Sequence, residues 1–487
     1  MNINTNLTNF TKKHKNKKNQ IIFYKTKCKN NKILENIINN FLTKKNSFIF
    51  ESVEKRKIRG RYTIIGGNPD KIWEFNKNKI SLIENKRKKH IKGSPYPFLK
   101  NLIEKFHFPL PKNIPPLCSL LVGYFSYDII RYIEKVPDNC LDDLRIPDVR
   151  LLRPKTIIIF DNVVKNIYFI KNCFADEIII NYKKYYNEQL NEIKILQQLS
   201  SVSENFKKVN IKNTKKILVK SNISKSKFIR MVNDAKKHIR KGDIFQVVLS
   251  QRFEVKLTKE PLEIYKKLRI ANPSPFMFYF NFKDFQIIGS SPEILVRLRN
   301  NKVTIRPIAG TRPRGHNYKK DMFYAKQLLN DKKELAEHLM LLDLGRNDVG
   351  KVSKINSVKV TEKFGIEKYS HVMHIVSNVE GKFNNKKTLL DTMLAGFPAG
   401  TVTGAPKIRA MEIIDKLEKS KRKMYAGSIG YFSANKNFDT CIALRTALIK
   451  NNKFYIQAGA GIVADSVPDK EYVETVNKAK ALIKSLN

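Results

Sequence analysis

Two glutamate pairs stand out in a chain poor in acids: Glu334-x-x-Glu337 and Glu471-x-x-Glu474. Both fall in segments with helical patterning, and residues three apart share a helix face. Two such helices set against each other would gather four carboxylates around one point. A hard divalent cation such as Mg²⁺ takes one or two direct carboxylates, with further acids holding its waters. For either pair alone, a solvated acidic face is the plainer reading.

His374, in Ser370-His-Val-Met-His-Ile-Val-Ser377, has a side chain suited to proton transfer near neutrality. His371 is equally visible, and spacing does not choose between them; a hydrogen-bonded structural histidine also fits. Arg445 interrupts the apolar run Cys441-Ile-Ala-Leu-Arg-Thr-Ala-Leu448. An arginine there needs a partner, either a ligand carboxylate held bidentately or a buried acid of the protein. Gly400-Thr-Val-Thr-Gly-Ala-Pro-Lys407 precedes a helix whose N–H groups could meet an anion, or it is a glycine-rich helix start with no ligand. It is not a Walker A loop, because Ile408 follows Lys407. Gly459-Ala-Gly-Ile-Val-Ala464 matches the dinucleotide fingerprint, yet Asp465, Ser466, Pro468 and Asp469 separate it from the next helix. The dinucleotide reading fails. A tight backbone turn close to a carboxylate-bearing ligand remains open.

These residues need a scaffold. From about Ile21 to Asp161, short β-type runs such as Ser47-Phe-Ile-Phe-Glu51 and Thr156-Ile-Ile-Ile-Phe160 alternate with polar turns. From Ala175 to Ser221 the pattern turns helical and then polar. Beyond Ser224, helices are expected over Lys227–Lys241, Asp331–Leu344, Lys407–Leu417 and Lys470–Leu486. Strands are expected over Phe245–Phe253, Phe276–Phe282, Asp439–Lys450 and Lys453–Gln457. Strands outnumber crossover helices, which favours an α+β fold: large, mostly antiparallel sheets packed as a sandwich, with helices outside and two lobes. The expected division is a flexible basic arm (1–20), an N-terminal lobe (21–200), a linker (201–222) and a C-terminal domain (223–487).

Among 487 residues, 42% are hydrophobic and 28% charged, as in an ordinary globular enzyme. The net charge of +49 invites a nucleic-acid reading, but the excess is dispersed. Residues 1–50 hold eleven lysines against Glu35, and residues 401–487 still hold fifteen Lys and Arg against eight acids. Lysine, asparagine and isoleucine usage of this kind reads as compositional drift on permissive surface positions. The five scattered cysteines form no Cys-x-x-Cys pair, so a disulfide framework or zinc site is unsupported and a reducing compartment fits best. No apolar run reaches membrane-spanning length, and the N-terminus lacks a secretory pattern, so a cytoplasmic protein is expected.

From Ser224 onward the chain resembles the chorismate-binding enzymes. The strings that carry this are Gly242-Asp-Ile-Phe-Gln-Val-Val-Leu-Ser250, Ser290-Ser-Pro-Glu293, Pro307-Ile-Ala-Gly-Thr-Arg-Pro-Arg314, Asp343-Leu-Gly-Arg-Asn-Asp-Val-Gly350, Gly404-Ala-Pro-Lys407 and Gln457-Ala-Gly-Ala-Gly-Ile-Val463. The N-terminal lobe looks like that of anthranilate synthases, through Phe50-Glu-Ser-Val53 and Gly60-Arg-Tyr62. Relatives making aminodeoxychorismate carry a nucleophilic lysine where Ala309 stands. Relatives making isochorismate or salicylate use a water-activating lysine at the position matching Gln246. Both differences imply amination by free ammonia, giving anthranilate and pyruvate; aminodeoxychorismate synthesis is the nearest alternative, and a basic nucleic-acid binder is the rival from another class.

The resemblance also implies roles. Glu337 and Glu474 would ligate Mg²⁺, with Glu471 and Glu334 acting through its waters. Glu334, His374 and Thr401 would serve catalysis, with His374 assisting pyruvate elimination. Gly310, Thr311, Tyr425, Arg445, Gly459, Ala460, Gly461 and Lys478 would bind substrate. Ser52, Pro275, Phe276 and Met277 would hold tryptophan as a feedback inhibitor, although plain sheet packing fits them too. No glutamine amidotransferase motif is visible, which implies a separate amidotransferase subunit in a hetero-oligomer.

Overall fold

The structure, a computed structural model, describes residues 3–28, 30, 32–52, 60–199, 218–369 and 372–486. Its β-branched and aromatic runs form strands because successive side chains enter two different cores. In the strand Val149–Asp161, Ile157 and Ile159 join one core while Ile158 and Phe160 join the other. The same alternation separates Phe48 from Ile49, Phe278 from Tyr279 and Ile287 from Ile288. A one-residue slip would exchange the two cores, so register is strongly specified.

Two long strands, Tyr62–Asn76 and Val149–Asp161, pair along their length with a register shift between Pro69 and Lys71, and their halves feed two sheets. One sheet runs Gln20–Lys27, Asn166–Cys173, the two long strands, Ser47–Glu51, Phe276–Asn281, Gln286–Ser291, Thr446–Lys450, Lys453–Ile462 and Gln246–Lys256. The other runs Arg87–Ile91, Lys79–Glu84, the long strands again, Leu120–Phe125, Ser428–Ser433, Phe438–Ile442, Ile294–Arg299, Lys302–Ile305 and Val372–Lys382. Ile308–Pro313 and Lys359–Lys368 flank the last strand. All these ladders are antiparallel. The core shared by both sheets holds Phe48, Phe280, Leu295 and Phe438. The second core is closed by helices Lys32–Phe41, Tyr182–Leu199, Pro261–Ala271 and Pro468–Ile483, through Ile37, Ile193, Tyr265 and Leu482. The α+β antiparallel sandwich with outer helices is the architecture of this chain.

Several expectations are corrected. Part of the expected flexible arm is the helix Leu7–Lys15, capped by Asn6, with Phe10 fully buried against Tyr185 and Tyr186. One aromatic anchor outweighs the polar composition around it, and the lysines take the outer face. The boundary between lobes does not divide the sheets: Ser47–Glu51 pairs with Phe276–Asn281, and Leu120–Phe125 with Ser428–Ser433. Of the expected linker, residues 201–217 lie outside the described residues, while Val219–Ser221 is a strand on Gln246–Lys256. The strand expected over Asp439–Lys450 is two strands, Phe438–Ile442 and Thr446–Lys450, broken at Arg445 with φ of +46°. No described helix is long and apolar enough to cross a membrane.

Candidate active site

The helix Lys332–Gly350 begins on Asp331, whose carboxylate accepts the N–H groups of Lys333 and Glu334. Buried His338 on this helix meets Ser377 Oγ at 2.7 Å and pins the helix to the strand carrying His374. Glu337 is half-buried and accepts Gln246 Nε2 at 2.9 Å. Burial pushes its carboxyl up, against the Gln246 hydrogen bond, and the nearby charges of Glu334 and Glu474 push it further. Glu471, in the first turn of the helix Pro468–Ile483, is also pushed up, by burial and then by Glu474. Lys478, one turn past Glu474, bonds it at 2.7 Å and donates to Gly459 O at 2.9 Å. Glu334 pairs with Arg312 at 3.0 Å.

The two helices thus bring Glu334 and Glu474 near enough to act on the charge of Glu337, and Glu474 near enough to act on Glu471. Among the described residues, no three His, Cys, Asp or Glu side chains stand at coordinating distance of one point. The donor set still suits a hard cation, which needs only one or two carboxylates plus water. Glu337, crowded by like charge, is where a cation would relieve the most strain.

His374 is buried, and its Nδ1 lies 2.8 Å from the carbonyl of Gly310 and 3.1 Å from Thr311 Oγ1. A carbonyl only accepts, so Nδ1 carries the proton and Nε2 is left as the acceptor. Burial lowers the His374 pKa, with the charges of Arg445 and Lys478 acting the same way, against the Gly310 hydrogen bond and Glu367. The result is a neutral imidazole with a free basic nitrogen. His371 lies outside the described residues.

Arg445 is desolvated enough that burial lowers its pKa, yet no hydrogen bond or ion pair engages its guanidinium among the described residues. The buried-acid alternative thus has no residue to fill it among the described residues. Tyr425 is buried nearby, its Oη lying 2.5 Å from where a Cβ on Gly459 would sit. Gly459, Ala460 and Gly461 do not form a turn. They lie in the strand Lys453–Ile462, opposite Ser250, Leu249 and Val248. The glycines clear space, since a Cβ on Gly461 would come 2.7 Å from Gln246 Nε2. Ala460 points the other way, into a separate core with Phe228 and Ile413, so only its backbone is available to the pocket.

One functional group was not singled out from the residues. Glu293 is buried, its carboxyl accepts Thr401 Oγ1 at 3.2 Å to both oxygens, and burial raises its pKa to about 8. It is thus a carboxylic acid able to donate a proton at neutral pH. Ser-Pro-Glu reads as a turn, and the apolar wall around Glu293, including Leu341 and Pro307, comes from distant segments. Lys407, at the Gly-rich helix start, pairs with Asp348 at 2.9 Å. Its ammonium is committed to the protein.

The sequence profile of the chorismate binding enzymes matches residues 45–484, nearly the whole scaffold just described. The chain belongs to this family. It is 46% identical over 444 residues to anthranilate synthase component 1 of Cereibacter sphaeroides, covering 90% of this chain and 88% of the relative. It is 45% identical over 445 residues to the component 1 protein of Acetivibrio thermocellus, covering 90% of both. The crystal structure of anthranilate synthase component I from Streptococcus pneumoniae superposes with a TM-score of 0.78 at 38% identity, covering 88% of this chain and 94% of that one. The menaquinone-specific isochorismate synthase of Escherichia coli shares the fold, with a TM-score of 0.73 at 18% identity over 99% of both chains.

In this chorismate-binding enzyme a second group of polar side chains gathers where the strands Ser47–Glu51 and Phe276–Asn281 pair. Met277 pairs with Glu51 across neighbouring strands and is fully buried, while Pro275 and Phe276 are half-buried. Glu51 is engaged by Arg269 at 2.9 Å and by Tyr265 Oη. Ser52 Oγ and Asn272 Nδ2 are buried without a hydrogen-bond partner among the described residues. Unpaired buried groups of this kind suit a small polar ligand.

Proposed function

We propose that this chain converts chorismate and ammonia to anthranilate, pyruvate and water, the first step of tryptophan biosynthesis. The observation that carries this is Arg445, a partly desolvated cation whose guanidinium has no hydrogen bond or ion pair among the described residues, close enough to His374 to act on its charge, as Lys478 is. Chorismate bears two carboxylates, one on the ring and one on the enolpyruvyl group. Arg445, Tyr425 and the open backbone at Gly459–Gly461 hold the enolpyruvyl carboxylate; Gly310, Thr311 and Lys478 line the rest of the pocket. Glu337 and Glu474 would hold Mg²⁺, with Glu334 and Glu471 supporting them from beside the site. When bound, Mg²⁺ supplies positive charge and Lewis acidity beside the ring carboxylate.

Glu293 donates its proton to the departing ring hydroxyl while ammonia adds beside the ring carboxylate, and Thr401 keeps the carboxyl aimed. His374 Nε2 then takes the ring proton whose loss expels pyruvate and aromatises the ring. Ala309 offers no nucleophile and Gln246 no base, so nitrogen enters as ammonia. That ammonia comes from a glutamine amidotransferase subunit, in keeping with the component 1 names of the relatives. L-tryptophan inhibits by occupying the pocket of Ser52, Pro275, Phe276 and Met277, with Ser52 Oγ and Asn272 Nδ2 as free hydrogen-bonding groups. The setting is the cytoplasm.

Chorismate, Mg²⁺ and excess ammonium should yield anthranilate fluorescence with equimolar pyruvate; absence of both products defeats the proposal. His374→Ala should still aminate the ring but fail to release pyruvate, and equal loss of the two steps would remove its role as base.

A further inference from the structure

Ser290 is the next-to-last residue of the strand Gln286–Ser291 and is fully buried. Its N–H donates to the carbonyl of Arg445 at 3.1 Å, and its hydroxyl donates to the carbonyl of Asn272 at 2.6 Å. It therefore bonds the backbone of Arg445 and of Asn272 at once. The backbone it holds is the unusual one: Arg445 has φ of +46°, a left-handed conformation that persists in a non-glycine residue only where its surroundings enforce it.

The next residue repeats the pattern. Ser291 Oγ donates to Ile442 O at 2.7 Å, and Ser291 O accepts Ser274 Oγ at 2.6 Å. Ile442 N–H in turn donates to the carbonyl of Glu293 at 3.1 Å. The loop holding Asn272 and Ser274 is thus tied, through two serines, to the segments that carry Arg445 and Glu293. There is little slack in the link, since a Cβ on neighbouring Gly289 would lie 2.1 Å from the Phe278 ring.

We infer that Ser290 is a positioning residue for Arg445, and that through it occupancy of the Asn272 pocket sets the affinity for the substrate's carboxylate. The hydroxyl fixes the strand end to the Asn272 loop, while the N–H fixes the backbone from which the guanidinium projects. A ligand that draws Asn272 toward itself shifts the strand end and misaims Arg445. The inference rests on the readings of Arg445 as the carboxylate site and of the Ser52–Asn272 pocket as the tryptophan site.

The test combines steady-state kinetics in chorismate, with and without L-tryptophan, with direct tryptophan binding by calorimetry. Ser290→Ala keeps the N–H but loses the tie to Asn272. It should raise KM for chorismate about tenfold, the effect of one buried hydrogen bond. It should change kcat by less than about twofold, because the loss falls on binding. Tryptophan should still bind this variant but no longer raise KM. Ser274→Ala, which removes the parallel tie, should act in the same direction more weakly, and it carries the test if Ser290→Ala does not fold. KM unchanged in both variants overturns the inference, as does undiminished tryptophan inhibition in Ser290→Ala. If the wild type binds no tryptophan, the effector reading falls, while the split between KM and kcat still decides the positioning role.

Discussion

Arg422 is buried and Arg445 half-buried, and the protein treats the two guanidinium groups in opposite ways. Arg422 gives Nε and Nη2 to Glu418 at 2.9 and 2.6 Å, and further hydrogen bonds to the carbonyls of Val402 and Val248, both at 2.7 Å. Its guanidinium also lies over the rings of Tyr127 and Tyr425. Glu418 in turn accepts the N–H and hydroxyl of Ser250. Charge and hydrogen-bonding capacity are closed within the chain, and the group ties the strand Gln246–Lys256 to the segment behind Tyr425. Arg445 has none of this. A half-buried charge that has no partner among the described residues is available to a ligand carboxylate. The difference separates scaffold from site more clearly than burial does.

The comparison can be broken in order of expected effect. Arg422→Ala leaves Glu418 buried and unpaired, and should lower stability by about 3–5 kcal/mol in urea unfolding. A smaller loss would mean that water compensates Glu418 and that the closed network is not what holds this region. Arg445→Ala should do the reverse. Its unfolding midpoint should not fall, while kcat/KM for chorismate drops by about a thousandfold, as expected when one partner of an enclosed charge pair is removed. A fall in stability with unchanged kinetics would make Arg445 a scaffold residue like Arg422.

The third prediction concerns pH. Glu293, raised to about 8, must be protonated to donate, so turnover should decline as pH rises through that value. His374 must be neutral to accept, and its lowered pKa places the acid limb below the ordinary histidine range. Glu293→Gln should slow turnover about a hundredfold and abolish the alkaline limb. An unchanged alkaline limb in that variant would assign it to another group.

Much of this was legible because local patterns carry local physics. The glutamate pairs announced helix faces by their spacing, and the helix expected over Lys407–Leu417 is present, with Pro406 before it; the last helix starts at Pro468, two residues earlier than expected. Alternation in Thr156-Ile-Ile-Ile-Phe160 could not say which face met which core, because every position is apolar; pairing with Tyr62–Asn76 decided it. The glycines near residue 460 suggested a turn, since glycine permits one, but ten successive pairings with the strand Gln246–Lys256 hold the segment straight. Phe10 was hidden in a lysine-rich stretch whose composition predicted disorder.

By itself, the amino-acid order determined the antiparallel α+β class, the two carboxylate-bearing helices, and the membership in a family of chorismate-binding enzymes. Tertiary structure alone decided which charges are satisfied. Glu293 becomes an acid that holds its proton because apolar side chains far along the chain exclude water from it. Arg445 is left open to a ligand because no described carboxylate pairs with it, and charge compensation depends on what is near in space rather than in sequence.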